Sequence, residues 1–232
     1  MRQTMKLSII IPAYNEVSTI IAVIEAVAKA PLQKGIEREV IVIDDGSTDG
    51  TREKLKLLPL SPAKVFFHDK NQGKGAAVRT GIAHATGDFI VFQDADLEYD
   101  PQDYPKLLQP ILDGHAEVVF GCRYTKENKT VYRWTYIGNT IISLFASILF
   151  LTWIRDVETC YKMFKADILK VMTLQSNGFE FEVEVTAKAL KKHKIIEVPI
   201  VYHGRTYEEG KKITSLDGLK AVYYLLKYRF LA

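Results

Sequence analysis

The chain has 232 residues, 47% of them hydrophobic and 25% charged, the make-up of an ordinary globular protein with room for one large α/β domain or two small ones. Two cysteines, Cys122 and Cys160, exclude a disulfide framework and make a reducing, cytosolic setting the expectation; residues 1–6 lead straight into a strand-like run with no signal-peptide pattern. The formal charge of +3 is uneven, with 13 basic and 17 acidic residues over 1–120 against 18 and 11 over 121–232. An acidic half joined to a basic one fits a phosphate-bearing substrate or an anionic surface. Nucleic acid is not expected, since no helix-turn-helix, zinc or aromatic-platform signature accompanies the basic half.

In chain order, Leu7–Pro12 reads as a buried strand stopped by proline. After the loop Ala13–Glu16, Ser18 is expected to cap a helix from Thr19 to Ala30 that Pro31 and Gly35 end. A second strand, Glu39–Ile43, runs into Asp44 and Asp45 and a glycine-bearing polar loop, followed by a helix over Thr51–Leu58. A short third strand, Lys64–His68, leads to Asn71-Gln72-Gly73-Lys74-Gly75 and a helix from Ala76 to Ala85. That loop is read as offering backbone N–H groups and Lys74 to a phosphate, although its spacing is not that of a Walker A loop. Gly87-Asp88 then turns the chain into the strand Phe89–Phe92.

This last strand drives into Asp94, Asp96 and Glu98. In extended chain alternate residues point the same way, so the three carboxylates can converge at a strand end. Oxygen ligands so spaced suit Mg²⁺ or Mn²⁺. An acidic turn after a buried strand would look the same in isolation. The repeated β-α pattern implies a parallel sheet, which brings the Asp44-Asp45 pair, the Pro12–Glu16 loop and these carboxylates to one edge. That convergence favours the metal reading.

Four blocks stand in order: Ile11-Pro12-Ala13-Tyr14-Asn15-Glu16, Val42-Ile43-Asp44-Asp45-Gly46-Ser47-Thr48-Asp49-Gly50-Thr51, Asn71-Gln72-Gly73-Lys74-Gly75-Ala76-Ala77, and Gln93-Asp94-Ala95-Asp96. Together they resemble the family 2 inverting glycosyltransferases of GT-A fold, over nearly the whole chain. The resemblance implies a single GT-A domain spanning 1–232, with a mostly parallel sheet flanked by helices. Residues 7–120 would form the nucleotide-sugar half and 121–232 the acceptor half. It implies that Pro12, Tyr14, Glu16 and Asp44 or Asp45 hold the nucleotide base and ribose, with Ala13, Lys74 and Ala95 in the same donor site. It also implies that Asp94 and Asp96 bind the Mg²⁺ or Mn²⁺ that bridges the diphosphate of a GDP- or UDP-hexose.

The run Asp94–Glu98, with Val118–Tyr124 after it, looks like the branch that holds dolichyl-phosphate mannose synthase and other polyprenyl-phosphate glycosyltransferases. That branch usually has Gln and Ser where this chain has Glu98 and Cys122. Glu98 is therefore a candidate third metal ligand that would alter the charge of the site. The same resemblance puts Arg123 and Arg133 on the acceptor's phosphate, although Arg133 equally fits an exposed surface residue. Residues 137–154 form an unusually apolar run in which Asn139, Ser143 and Ser147 make a narrow polar stripe. A helix at a membrane interface or against a lipid tail is the favoured reading, and a buried core helix the other. Asp156 is the candidate active-site acid by resemblance, with Glu158 second. Gly178–Glu184 opens a helix with a dense acidic face, read as solvated apart from one of Glu180 or Glu182. The late strand Ile195–Tyr202 is followed by a basic loop, 203–213, in which Arg205 and Lys212 match a lid closing over the diphosphate. An amphipathic helix over Leu216–Leu231 closes the chain.

The expectation is therefore inverting transfer of a hexose of mannose or glucose type from a nucleotide-sugar to a dolichyl or undecaprenyl phosphate. The protein would sit peripherally on the cytoplasmic face of a membrane, without a transmembrane span. Transfer to a sugar hydroxyl of a glycan or glycolipid is the enzymatic alternative, and an inactive nucleotide-sugar-binding scaffold the non-enzymatic one.

Overall fold

The computed structural model describes residues 4–58, 63–125, 128, 133–204 and 215–231, at 133–134 and 215–217 by backbone alone. The elements run β1 (Met5–Ala13), α1 (Ile20–Lys29), β2 (Ile36–Asp44), α2 (Thr51–Lys56), β3 (Ala63–Phe67), α3 (Lys74–His84), β4 (Phe89–Phe92), α4 (Tyr104–Leu112) and β5 (Val118–Cys122). They continue through α5 (Arg133–Phe150), β6 (Lys162–Lys165), α6 (Ala166–Lys170), α7 (Phe181–Lys192), β7 (Ile195–Pro199) and α8 (Ser215–Phe230).

The strands form one sheet in the order β3-β2-β1-β4-β6-β5-β7. All neighbours are parallel except β6, which runs antiparallel to both β4 and β5. Ile9–Ile11, Ile41–Ile43 and Ile90–Phe92 are fully buried, which is why these strands read as unbroken apolar runs rather than alternating ones. Helix α3 lies against β1 and β2, α1 against β2, and α4 against β5. Each buried Ile, Val or Leu stabilises the fold by about 1.5–3 kcal/mol relative to exposure.

Several expected boundaries shift. Helix α1 starts after Thr19 with no side-chain cap, so Ser18 is not its cap; the Glu16 carbonyl instead accepts the N–H groups of Thr19 and Ile20. Helix α3 begins at Lys74 rather than Ala76, placing that lysine in its first turn. Strand β6 was not anticipated, because Lys162 and Lys165 at its ends make a four-residue segment look polar. Since β6 is reversed, the loop before it arrives at the sheet's carboxyl edge.

Helix α5 ends four residues earlier than expected, at a left-handed Leu151 (φ 54°), and it is built inside out. Asn139, Ser143 and Ser147 are buried, while Ile141, Leu144 and Ile148 face outward. The stripe holds backbone: Asn139 Oδ1 accepts the Glu158 N–H at 3.1 Å, Ser143 Oγ the Val157 N–H at 3.1 Å, and Ser147 Oγ the Ile154 N–H at 3.0 Å. Ile142, Ala146 and Phe150 of the same helix are buried in the core, so the run has a core face and an outward face. No helix among the described residues is long and apolar enough to cross a membrane. The acidic face of α7 departs from expectation in the same sense at Glu184, whereas Glu182 belongs to the pair set apart from the solvated face. Glu182 and Glu184 are buried, and Glu184 accepts the N–H groups of Gln175 and Ser176.

Candidate active site

A cavity of about 390 Å³ opens at the sheet's carboxyl edge. The end of β1 supplies Pro12, Ala13 and Tyr14, and Glu16 follows; β2 leads to Asp45, the first turn of α3 carries Lys74, and β4 leads to Asp94, Ala95, Asp96 and Glu98. Arg123, Glu158, Glu182 and Tyr202 line the same cavity. Parallel strands ending side by side gather these distant residues, as open α/β sheets do at their ligand crevices.

The two aspartates after β2 have separate jobs. Asp44 is fully buried and absent from the cavity wall; its carboxylate takes Arg52 Nε at 2.8 Å and the Ser47 N–H at 3.3 Å. Asp45 lines the cavity and clamps the glycine-rich loop. Its Oδ1 lies 2.7 Å from His68 Nδ1, and its Oδ2 accepts the Gly73 N–H at 2.8 Å. The Gln72 N–H also goes to Asp45, and the Ala76 N–H to the Asn177 carbonyl. Three amides of the expected phosphate cradle are thus bonded within the protein. Gly73 has φ +99°, and a Cβ there would fall 2.3 Å from the Asn177 carbonyl oxygen, so only glycine fits. The loop and the start of α3 line the cavity with Asn71, Gly73, Lys74 and Ala77, and Lys74 brings the charge.

Lys74 Nζ lies 2.6 Å from Asp94 Oδ1 and 3.0 Å from Glu182 Oε1. Burial alone would lower the lysine's pKa, but Asp94, with Cys160 and Glu182, holds it well above the ordinary value. Asp94 is correspondingly lowered: its burial penalty is outweighed by Lys74. The other Glu182 oxygen takes Lys162, which is fully buried and also donates to the Thr159 carbonyl. A charge-alternating chain, Asp94–Lys74–Glu182–Lys162, therefore underlies the Asp-x-Asp strand end.

Asp94 and Asp96 offer the hard oxygen donors that Mg²⁺ or Mn²⁺ takes. Among the described residues no three of His, Cys, Asp and Glu gather at metal spacing. A pair of carboxylates suits an ion that completes its shell with phosphate and water, the usual habit of Mg²⁺. Glu98 lines the same cavity, and its Oε2 accepts the Tyr202 hydroxyl at 2.7 Å.

Arg123 is gripped side-on by Asp156, with Nε to Oδ2 at 2.9 Å and Nη2 to Oδ1 at 2.7 Å. The Tyr124 and Tyr202 rings stand 5.6 and 5.2 Å from its guanidinium carbon. Asp156 is fully buried and does not line the cavity. Its observed part is to hold Arg123. Glu158 does line the cavity, and burial above all, with Glu182 and Asp156 adding to it, pushes its carboxyl up to about 7 against the pull of Lys162 and Arg123.

Tyr99, Tyr202, Asn71 and Phe179 line the cavity without having been singled out from sequence. Aromatic residues just beyond strand ends carry no local signal that separates a cavity wall from a core. Residues 205–213 of the expected basic lid, Arg205 and Lys212 among them, lie outside the described residues, as does the side chain of Arg133.

The sequence model of Glycosyl transferase family 2 matches residues 8–172. A dolichol-phosphate mannosyltransferase of Pyrococcus furiosus is 32% identical over 97% of this chain, which spans 64% of that relative's length. A dolichyl-phosphate beta-glucosyltransferase of Saccharomyces cerevisiae is 30% identical over 92% of this chain and 71% of its own. Among solved structures, glucosyl-3-phosphoglycerate synthase of Mycobacterium tuberculosis, in complex with Mn²⁺, UDP and glucosyl-3-phosphoglycerate, has a TM-score of 0.75. That match covers 98% of this chain and 81% of the other at 22% identity. At this identity the likeness is one of fold, and it agrees with the GT-A architecture that the sequence motifs imply.

Proposed function

We propose that this chain, which belongs to glycosyl transferase family 2, moves a hexose from a nucleotide-sugar to the phosphate of a polyprenyl phosphate. The observation that carries the reading is that Arg123 lines the same cavity as Asp94 and Asp96, its fork fixed by a fully buried Asp156. Arginine's planar fork suits a phosphate. The named activities of the Pyrococcus and Saccharomyces relatives, both toward dolichyl phosphate, support the same acceptor.

On this reading Pro12, Ala13, Tyr14, Glu16 and Asp45 form the wall for base and ribose, and Ala95 closes the cavity beside the diphosphate. Arg205 and Lys212 act as the basic lid, and Arg133 joins Arg123 on the acceptor. Asp94 and Asp96 would hold Mn²⁺ or Mg²⁺, which when bound neutralises the charge gathering on the leaving nucleoside diphosphate. The mycobacterial enzyme's complexes with Mn²⁺ and UDP-glucose favour such an ion here. An acceptor phosphate oxygen attacks the anomeric carbon as the bond to the diphosphate breaks on the opposite side, which inverts the configuration. No base is required, because the acceptor is already anionic at neutral pH. Asp156, fully engaged by Arg123, is consistent with that chemistry.

A second reading rests on Glu158. A carboxyl lifted to about 7 at the cavity wall is suited to take a proton from a sugar hydroxyl. A panel of GDP- and UDP-sugars, assayed with Mn²⁺ and with or without a short-chain polyprenyl phosphate, decides between them. Lipid-dependent turnover of one donor, abolished in Asp96→Ala, is the expected result. Donor binding with turnover only on a glycan hydroxyl would favour the second reading. The outward faces of α5 and α8 are read as the surface that meets the membrane, on its cytoplasmic side.

A further inference from the structure

The position of Lys74 is held from within the protein. Asp45 holds the Gln72 and Gly73 amides, the Asn177 carbonyl holds that of Ala76, and Lys74 is the first residue of α3. The side chain reaches into the cavity and puts its ammonium 2.6 Å from Asp94 Oδ1. The carboxylate that the Asp-x-Asp strand end delivers is therefore already paired with a cation of the protein's own. Glu182 Oε1, 3.0 Å from the same ammonium, is buried and has no aligned hydrogen bond among the described residues.

We infer that Lys74 is a built-in counter-ion that makes capture of the divalent cation conditional on the donor's diphosphate. A divalent ion arriving alone meets a fixed ammonium beside one of its two carboxylates, and the like charges repel. A diphosphate reverses the balance: its oxygens serve both the ion and the ammonium. Asp94 is then released to the ion. Lys74 is not left bare, because Glu182 is in place to keep it. The inference rests on the reading of this cavity as a nucleotide-sugar site, and it concerns the order of events there.

The test follows the electron paramagnetic resonance signal of free Mn²⁺ during titration of the full chain, alone and with inorganic pyrophosphate, GDP or UDP. The wild type should bind Mn²⁺ at least tenfold more tightly with a diphosphate than without. Lys74→Met should bind Mn²⁺ alone about tenfold more tightly than the wild type, the opposite of what loss of a ligand-binding residue ordinarily does. Its gain from added diphosphate should be correspondingly smaller, and its affinity for the diphosphate weaker. Lys74→Arg keeps the charge and, when folded, should not bind Mn²⁺ alone more tightly than the wild type, which separates charge from packing. Unchanged or weaker binding of Mn²⁺ alone to a folded Lys74→Met would overturn the inference while leaving the donor reading intact. Absence of coupling between Mn²⁺ and pyrophosphate in the wild type would overturn it even if the variant failed to fold. No binding of GDP or UDP with Mn²⁺ would instead remove the donor reading beneath it.

Discussion

Asp156 and Glu158 stand two positions apart and meet different fates. Asp156 is sealed against Arg123, while Glu158 reaches the cavity wall with a carboxyl lifted from 4.5 to about 7, chiefly by burial. Sequence marked both as acids at a site, but not which one touches the cavity. Arg123 lies 33 positions upstream of Asp156, and only the fold sets the fork against the carboxylate. The lifted Glu158 has a consequence for stability. Between pH 4.5 and 7 the folded chain holds this proton while the unfolded chain releases it. Its contribution therefore declines as pH rises through that window, and the loss is complete above it. Glu158→Gln should equal the wild type near pH 4 and exceed it by about 1–3 kcal/mol at pH 8, by urea unfolding in metal-free buffer. A difference between the two proteins that does not change with pH would show that the carboxyl is not buried as described.

At the scale of elements, α5 links an outward apolar face to the loop that carries those two acids. The i, i+4, i+8 spacing of Asn139, Ser143 and Ser147 was legible in sequence, but its direction was not. Polar stripes ordinarily face water, and this one turns inward because the loop at residues 154–158 brings backbone N–H groups that need acceptors. The same kind of reversal hid the burial of Glu184. Strand β6 escaped notice for a related reason, since its lysine is neutralised by a helix 20 positions further on. Ser143→Ala leaves the buried Val157 N–H without an acceptor and should cost about 1–3 kcal/mol by urea unfolding. It should raise the acceptor KM more than the donor KM, because the loop it loosens positions Arg123 through Asp156. Equal effects on both substrates would argue that the stripe serves folding alone.

For the whole molecule, the parallel β-α units and the gathering of their strand ends were legible, because continuous apolar strands and the loops after them follow from simple periodicity. The acidic-then-basic charge division was equally plain. Sequence marked an apolar run over 137–154 and an amphipathic helix over Leu216–Leu231, but not that the two lie together. Helices α5 and α8 pack together, and both turn large apolar groups outward: Ile141 and Ile148 are 60% and 66% exposed, Leu219 and Phe230 72% and 70%. Trp153, 73% exposed, follows α5, and the exposed Lys220 lies on α8. An apolar face with an exposed lysine on one of its helices suits the headgroup region of an anionic bilayer. Co-sedimentation with phosphatidylcholine vesicles containing phosphatidylglycerol should recover the wild-type protein, and more weakly at high salt, where the electrostatic share is screened. The double change Ile141→Glu, Ile148→Glu should lower vesicle binding at least tenfold, because two carboxylates would have to enter the lipid surface. Its melting temperature and its binding of nucleoside diphosphate should stay at wild-type values, since neither isoleucine is buried or lines the cavity. Binding that survives the double change would move the contact to another face, and a wild-type protein that stays in the supernatant would mean that the acceptor reaches the site without docking of the enzyme.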